Sequence, residues 1–373
     1  MDGSAPPTPG DRTVSRALDL ARALVRLDTR GGGERVAADL VAERLADAGL
    51  RVDLDEPQAG RANVVARTRD VRATDRPVPV TLSGHLDTVP ADDAVWSFDP
   101  LAGDVVDGRL RGRGASDMKG GVAAMIEAAT VHARDGGGDL QLVFTFGEET
   151  GCDGARALDR TLLAPSPLLV VGEMTGGRPL LGHKGALWLR LVARGVPAHG
   201  SRPELGHNAL VDLARAALAV HAHDDWPVSD THGPMTANVG TFHAGVVPNV
   251  VPDRAEMCVD LRLVPGTDAD AVVATIGGLV GDDVAVERLV DLPVVDTDPA
   301  TVSHARRLLG GEREPGYATY FTDAAVLAGA LGGAGVIICG PGDPDQAHVT
   351  DETCSVARVE EAVAAYGRLL AGG

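Results

Sequence analysis

The chain is nearly without lysine: of its 34 basic residues only Lys119 and Lys184 are lysines, and arginine supplies the rest. So one-sided a choice has the look of codon bias, which makes the two exceptions candidate positions where an ammonium is wanted. Positive charge is scarce overall, with 34 basic against 53 acidic residues and a net charge of −19. That excludes a nucleic-acid backbone as partner, since such a backbone is bound by clustered Lys and Arg. Aromatic residues make up only 3% of the chain, too few for the platforms on which unpaired bases stack. The four cysteines, Cys152, Cys258, Cys339 and Cys354, show no Cys-x-x-Cys spacing and read as reduced core thiols. No apolar run approaches the length of a membrane span. The opening "MDGSAPPTPGDRT" is polar and Pro-rich, without the basic start and apolar middle of a secretory signal. It reads as a loose leader on a cytoplasmic protein that needs no membrane.

With 373 residues the chain is too long for one compact core, and two domains are expected. Apolar positions recur at helical spacing over 12–29 and 34–49, Leu18, Ala21, Leu24 and Val25 among them. Short strands are expected near 51–55 and 62–67, then strand-length apolar runs at 78–82, 140–146, 168–171 and 336–339. Helical segments, notably 118–134 and 323–331, lie among them. Strands alternating with helices predict an α/β sheet covered on both faces. Residues 182–292 read differently: strand 186–193, helix 207–221, strands 237–242 and 255–263, helix 269–279, strand 284–290. That is β-α-β-β-α-β, the ferredoxin-like order. The expected division is a catalytic domain over 1–180 and 294–373, with a smaller domain, 181–293, inserted into it.

The apolar runs end in chemistry-bearing side chains. "VPVTLSGHLDTVP" ends in His85 and Asp87, "LQLVFTFGEETG" in Glu148 and Glu149, and "PLLVVGEMTG" in Glu173. "GVIICGPGDPDQAHVTDE" leads into a loop with His348, and "GRGASDMKGG" puts Asp117 just before a helix. A single His-x-Asp pair is ordinarily a capped strand end with a surface histidine. Ligands of open α/β sheets bind outside the carboxyl ends of the strands, so these groups can all meet at one rim. Converging acids repel and push each other's pKa upward. Two divalent cations remove the problem, because their charge balances three carboxylates and a bridging hydroxide and leaves one carboxylate for acid–base work. Imidazole and carboxylate ligands suit Zn²⁺, with Co²⁺ or Mn²⁺ as substitutes.

In this order "SGHLDTVP", "GRGASDMKGG", "GEETG", "GEMTG" and "GPGDPDQAH" resemble a family of di-metal amidohydrolases and exopeptidases. It includes acetylornithine deacetylase, succinyl-diaminopimelate desuccinylase, aminoacylase and carboxypeptidase G. The resemblance covers nearly the whole chain. It implies a catalytic α/β domain with a central mixed, mostly parallel sheet, and an inserted ferredoxin-like lid and dimerisation domain. It implies that His85, Asp117 and Glu173 hold one metal, that Asp117, Glu149 and His348 hold the other, and that Asp117 bridges. Asp87 would accept the other ring N–H of His85 and fix its tautomer. Glu148 would be general base and acid, moving a proton from metal-bridging water to the leaving amine.

"GVPAHGSRPELGHNAL" resembles the family segment whose histidine reaches into the partner subunit's site of a homodimer. There His199 would stabilise the tetrahedral oxyanion. Asn238 and Arg262 match positions that grip the substrate carboxylate, for which a planar guanidinium is an apt partner. Two departures, Met174 in place of a proline and Phe321 in place of a small residue, suggest an altered acyl or side-chain pocket. The implied substrate is a small N-acyl amino acid or a related carboxylate-bearing amide. A dipeptidase or carboxypeptidase on the same fold is the alternative, and so is a hydrolase for an amino acid held on a carrier protein. A non-catalytic, metal-binding relative is a rival that the presence of Glu148 disfavours. Simpler roles exist for some residues: Arg262 can pair with Asp260 or Glu256, Lys119 can pack beside Asp117, and "VHAHDD" reads as a solvated helix end.

Overall fold

The first apolar run becomes a strand later than its composition suggests. The strand is Thr81–His85, and all of it is buried. Pro77 and Pro79 flank Val78, and proline has no N–H to give a ladder, so pairing starts beyond them and continues to the histidine. The computed structural model describes residues 9–68, 76–92, 95–311 and 316–372. In it the strands Gln141–Thr145, Thr81–His85, Leu168–Met174 and Gly335–Gly340 lie side by side and parallel. Apart from the first residue of the last two, every position in these strands is buried, which requires cover on both faces. Antiparallel strands flank this centre: Arg61–Arg67 and Arg51–Gln58 on one side, Leu180–His183 on the other. The sheet is mixed, and its parallel part carries the strand ends of interest.

The helix expected over 12–29 is Pro9–Val25. It begins inside the stretch read as a leader, with a proline in the first turn, where a missing N–H costs nothing. The rest of that stretch, residues 1–8, lies outside the described residues. Helices Arg35–Asp47 and Ala324–Ala330 fall close to expectation. The helix Gly120–Arg134 starts after, not at, Met118, and is buried from Gly120 through Thr130. Its start is pressed onto the strand carrying Glu173: a Cβ added to Gly121 would lie 2.2 Å from the carbonyl oxygen of Gly172. Among the described residues no helix is long and apolar enough to cross a membrane.

By contacts the chain divides into two compact units, and the second comprises His183–Val295 with Tyr317–Phe321. Its strands stand in the order Thr236–Ala244, Arg254–Leu263, Gly185–Arg194, Val284–Leu292, all antiparallel. Helices Ala209–Ala222 and Ala269–Val280 complete the β-α-β-β-α-β order. Alternation decides which face they cover. Met257, Val259, Leu261 and Leu263 join a core with Leu213, Val220, Val272 and Ile276, while Glu256, Cys258, Asp260 and Arg262 stay half-exposed. Cys258 is therefore not a core thiol, unlike the buried Cys152, Cys339 and Cys354; all four are free.

The contact between Gly121 and Gly172 yields a stability prediction. Gly121→Ala should destabilise the protein by about 1–3 kcal/mol, because a rigid carbonyl must yield. Gly367, inside the helix Val356–Ala371 with open space around its Cα, is the control. Gly367→Ala should be neutral or stabilising by up to about 1 kcal/mol. Urea unfolding of the two variants checks both; equal midpoints would refute the packing account.

Candidate functional site

Strand register brings the first pair together. Ser83 stands level with Val171 on the neighbouring parallel strand. Two residues further, His85 and Glu173 leave the same face side by side. Glu173 thus lies within its strand, not beyond its end. His85 Nε2 is 3.4 Å from Glu173 Oε1 and 3.1 Å from Asp117 Oδ1. Asp117 enters from the turn before helix Gly120–Arg134, and its other oxygen, Oδ2, is 3.3 Å from His348 Nε2. That nitrogen is also 3.0 Å from Glu149 Oε2. One carboxylate thus stands between two imidazoles, and each imidazole has a further carboxylate of its own. Polar atoms of His85, Glu148 and Glu173 lie within 4.8 Å of one another, as do those of His85, Asp117 and Glu149. The five expected ligands and Glu148 are therefore gathered in one corner.

Asp87 lies beside the other ring nitrogen of His85. His85 Nδ1 is 3.0 Å from the backbone carbonyl of Asp87 and 3.5 Å from its carboxylate, so the carbonyl is the nearer acceptor. A carbonyl only accepts, so Nδ1 carries a proton and Nε2 is the nitrogen left to face a ligand. The Asp87 carboxylate spends its better bonds elsewhere, accepting the amides of Glu148 and Glu149 at 3.1 Å each. It fixes the backbone of the glutamate pair. His348 adopts φ 61°, a left-handed conformation that side chains rarely take.

Burial sets the electrostatics. It pushes the Glu148 and Glu173 carboxyls well above the usual range; neighbouring carboxylates add to the rise and His85 opposes it. Burial also acts to raise Asp117, but the bonds from His348 and His85 outweigh it and hold that carboxyl low. At His85 burial disfavours the cation, yet Glu173, Asp117 and Asp87 carry its pKa well above the ordinary value. His348, half-exposed, is pushed up to about 10 by Asp117 and Glu149. Glu173 Oε2 is buried with no hydrogen-bond partner among the described residues. An orphaned carboxylate oxygen, a shared carboxylate and two imidazoles with aligned Nε2 atoms together make a donor set that fits divalent cations.

Two buried acids escaped the sequence reading. Glu352 accepts from Arg113 Nη1 and from the amides of Gly114, Ser116 and Asp117. Asp323 accepts from Thr145 Oγ1, has no partner for Oδ1 among the described residues, and is raised to about 6 by burial. Glu352 and Arg113 stand inside motifs quoted above, but nothing in their spacing says that they meet. Lys119 is buried and donates from Nζ to the Leu27 carbonyl at 3.0 Å. Burial lowers its pKa to about 8.

The remaining expected residues belong to the second unit. His199 is exposed; its Nδ1 accepts from the Ser201 amide at 3.1 Å and faces Ser201 Oγ at 2.7 Å. The proton then sits on Nε2, which can donate. Asn238 is exposed on the edge strand and opposite Asp260. Arg262 does pair with Asp260, through Nε at 2.9 Å and Nη2 at 3.0 Å. Its guanidinium lies 5.0 Å over the Phe321 ring, which meets Trp188 edge-on at 5.9 Å. Nη1 is buried and has no partner among the described residues. His221, Asp224 and Asp225 are exposed at a helix end, as expected.

The sequence matches "Peptidase family M20/M25/M40" over residues 81–372. A probable carboxypeptidase of Aspergillus fumigatus is 32% identical, over 96% of this chain and 86% of its own length. An acetylornithine deacetylase of Vibrio campbellii is 30% identical, over 88% of this chain and 90% of its own. Among solved structures, an M20 family metallo-carboxypeptidase of Sulfolobus solfataricus superposes with a TM-score of 0.74 at 19% identity, covering 95% of this chain and 98% of that one. At that identity the likeness speaks for the fold alone. The chain belongs to peptidase family M20/M25/M40 and is a hydrolase of the metallopeptidase and amidohydrolase kind.

Proposed function

We propose that the protein hydrolyses the amide bond of a small N-acyl amino acid, or of a related amide bearing a free carboxylate, at a pair of divalent metal ions. The carrying observation is Asp117, whose two oxygens face two different imidazoles at 3.1 and 3.3 Å. In this reading His85, Asp117 and Glu173 hold one ion, and Asp117, Glu149 and His348 hold the other. Zn²⁺ suits the set, and Co²⁺ or Mn²⁺ substitute. When bound, the pair supplies Lewis-acid polarisation of the amide carbonyl and lowers the pKa of water. Glu148, buried beside the ligand atoms and fixed at its amide by Asp87, takes a proton from water and returns it to the departing amine nitrogen.

Arg262 grips the substrate carboxylate through its unpartnered Nη1, with Asn238 beside it on the neighbouring strand. Asp260 and Phe321 hold the guanidinium still. The names of the relatives support both an N-acyl amino acid and a peptide with a free C-terminus, so carboxypeptidase activity is the second reading. His199 donates from Nε2 to the developing oxyanion, across a two-fold homodimer built on the second unit. The edge strand Thr236–Ala244 and the exposed Val246 and Val247 beyond it support such pairing. A cytoplasmic location belongs to the same proposal.

Three measurements follow. The purified protein should hold two divalent ions per chain by elemental analysis, with activity lost on chelation and restored on adding Zn²⁺ or Co²⁺. A fully active protein with one ion would refute the shared role of Asp117.

A panel of N-acetyl, N-succinyl and N-carbamoyl amino acids and dipeptides tests the substrate class. Glu148→Gln should keep both ions and lose at least about 10²–10⁴-fold in kcat, whereas Glu149→Gln should weaken one ion. Turnover confined to amides without a carboxylate would overturn the substrate class.

His199→Ala and Glu148→Ala homodimers should each be nearly inactive. After subunit exchange in equal amounts, half the dimers are hybrids with one intact site, so activity should return to about one quarter of wild type. Absence of recovery after demonstrated exchange would show that His199 does not act across the dimer.

A further inference from the structure

Glu352 is fully buried, yet nothing in the proposed chemistry uses it. Its Oε2 accepts from Arg113 Nη1 at 2.8 Å and from the Gly114 amide at 2.9 Å. Its Oε1 accepts from the amides of Ser116 at 2.8 Å and Asp117 at 3.1 Å. We propose that Glu352 is a positioning residue that clamps the backbone of residues 114–117 and thereby holds the Asp117 carboxylate in register with His348. The inference rests on the proposed ligand roles of Asp117 and His348.

The need for a clamp follows from local geometry. Asp117 and Met118 have non-helical dihedrals, φ −119° and −132°, within the turn before helix Gly120–Arg134. No sheet ladder is available to hold Asp117 there. An aspartate side chain is short, so the position of its oxygens follows its own backbone closely. The Glu352 carboxylate supplies the bonds that a ladder would otherwise give, and Arg113 compensates its charge.

The same anchor serves the loop of His348, which lies four residues before Glu352 in the sequence. The Asp343 amide donates to Ser116 Oγ at 3.1 Å, and Ser116 Oγ donates to the Thr353 carbonyl at 2.8 Å. Gln346 Oε1 accepts the Thr353 amide at 2.9 Å and so closes the loop on itself. The Gly112 amide donates to the Glu352 carbonyl at 3.0 Å. The two loops bearing Asp117 and His348 are thus joined at their base, with Glu352 at the junction. All four groups around its carboxylate are donors. A glutamine there presents one acceptor and one donor, so it sets a donor against donors and is not a conservative replacement.

Hydrogen exchange in chelated protein reads the clamp without any metal. In wild type the amides of Gly114, Ser116 and Asp117 should exchange as slowly as those of the strand Gln141–Thr145. Loop-like exchange there would overturn the proposal without any variant. Glu352→Gln should speed these three amides by at least about 10-fold while the strand stays protected. It should also weaken Zn²⁺ binding, titrated against a chromogenic chelator, by about 10–100-fold. Saturating Zn²⁺ should recover part of the lost kcat in Glu352→Gln and none in Glu148→Gln. Glu352→Asp keeps the charge and falls one methylene short; it should show the same faster exchange and weaker Zn²⁺ binding to a lesser degree, and it carries the test if Glu352→Gln does not fold. Loosened amides with wild-type Zn²⁺ affinity would make Glu352 merely structural and end the proposal. A single ion in wild type with slow amides would instead refute the ligand assignment beneath it.

Discussion

Carboxylates outnumber imidazoles in one buried corner, and the rest of this part of the chain is arranged around that excess. Asp117, Glu148, Glu149 and Glu173 gather near His85 and His348, and burial alone would drive most of their protons back on. Parallel strands bring the groups to one rim because all of them end there. Register then puts His85 beside Glu173, and the contact of Gly121 with Gly172 draws in the turn carrying Asp117. The corner's charge is compensated by two imidazoles and, in the proposed function, by divalent ions that stand where protons otherwise sit.

Two acids near the corner are handled by another device. Asp87 and Glu352 are buried carboxylates that accept backbone amides, two for Asp87 and three for Glu352. A buried hydrogen bond to a charged group contributes about 1.5–3 kcal/mol net, so such bonds offset much of the cost of burial. They also make each acid a staple. Asp87 fixes the backbone of the glutamate pair, and Glu352 fixes the backbone of Asp117. In the proposed function the acids that face substrate or ligand are held by acids that face backbone, and Arg113 pairs with one of these, Glu352.

Most of the site was legible because its residues lie at the ends of apolar runs, where an imidazole or carboxylate contradicts the local composition. His85, Glu148, Glu149 and Glu173 stand out in that way. The second unit was legible too, since strict alternation from Met257 to Leu263 and two helical stretches give its order directly. Strand starts were less so. Val78 reads as strand by composition, and only the ladder's need for an N–H moves the start to Thr81. Glu352 and Asp323 were not legible, because a buried acid shows no periodic signature. Their partners, Arg113 and Thr145, lie far off in sequence, and only the fold brings them together. Asp87 was read beside the ring nitrogen of His85, where its carboxylate lies 3.5 Å away; that its own carbonyl stands nearer, at 3.0 Å, is decided by the turn and not by residue type.

The scarcity of lysine finds a physical counterpart at both exceptions. Lys119 and Lys184 each send an ammonium to a backbone carbonyl, Leu27 at 3.0 Å and Pro234 at 2.5 Å. Neither forms an ion pair among the described residues. A single carbonyl asks for a compact donor at the end of a thin stem, whereas a guanidinium brings five donors in a fixed fork and leaves most of them unsatisfied when buried. The Lys119 Cδ atom passes 3.1 Å from where a Cβ on Gly114 would stand, so a side chain at position 114 would press on the lysine stem. The ammonium is buried, and its charge is felt by Glu352, Asp28 and Asp87. It therefore adds positive potential behind the acid corner without occupying a ligand position.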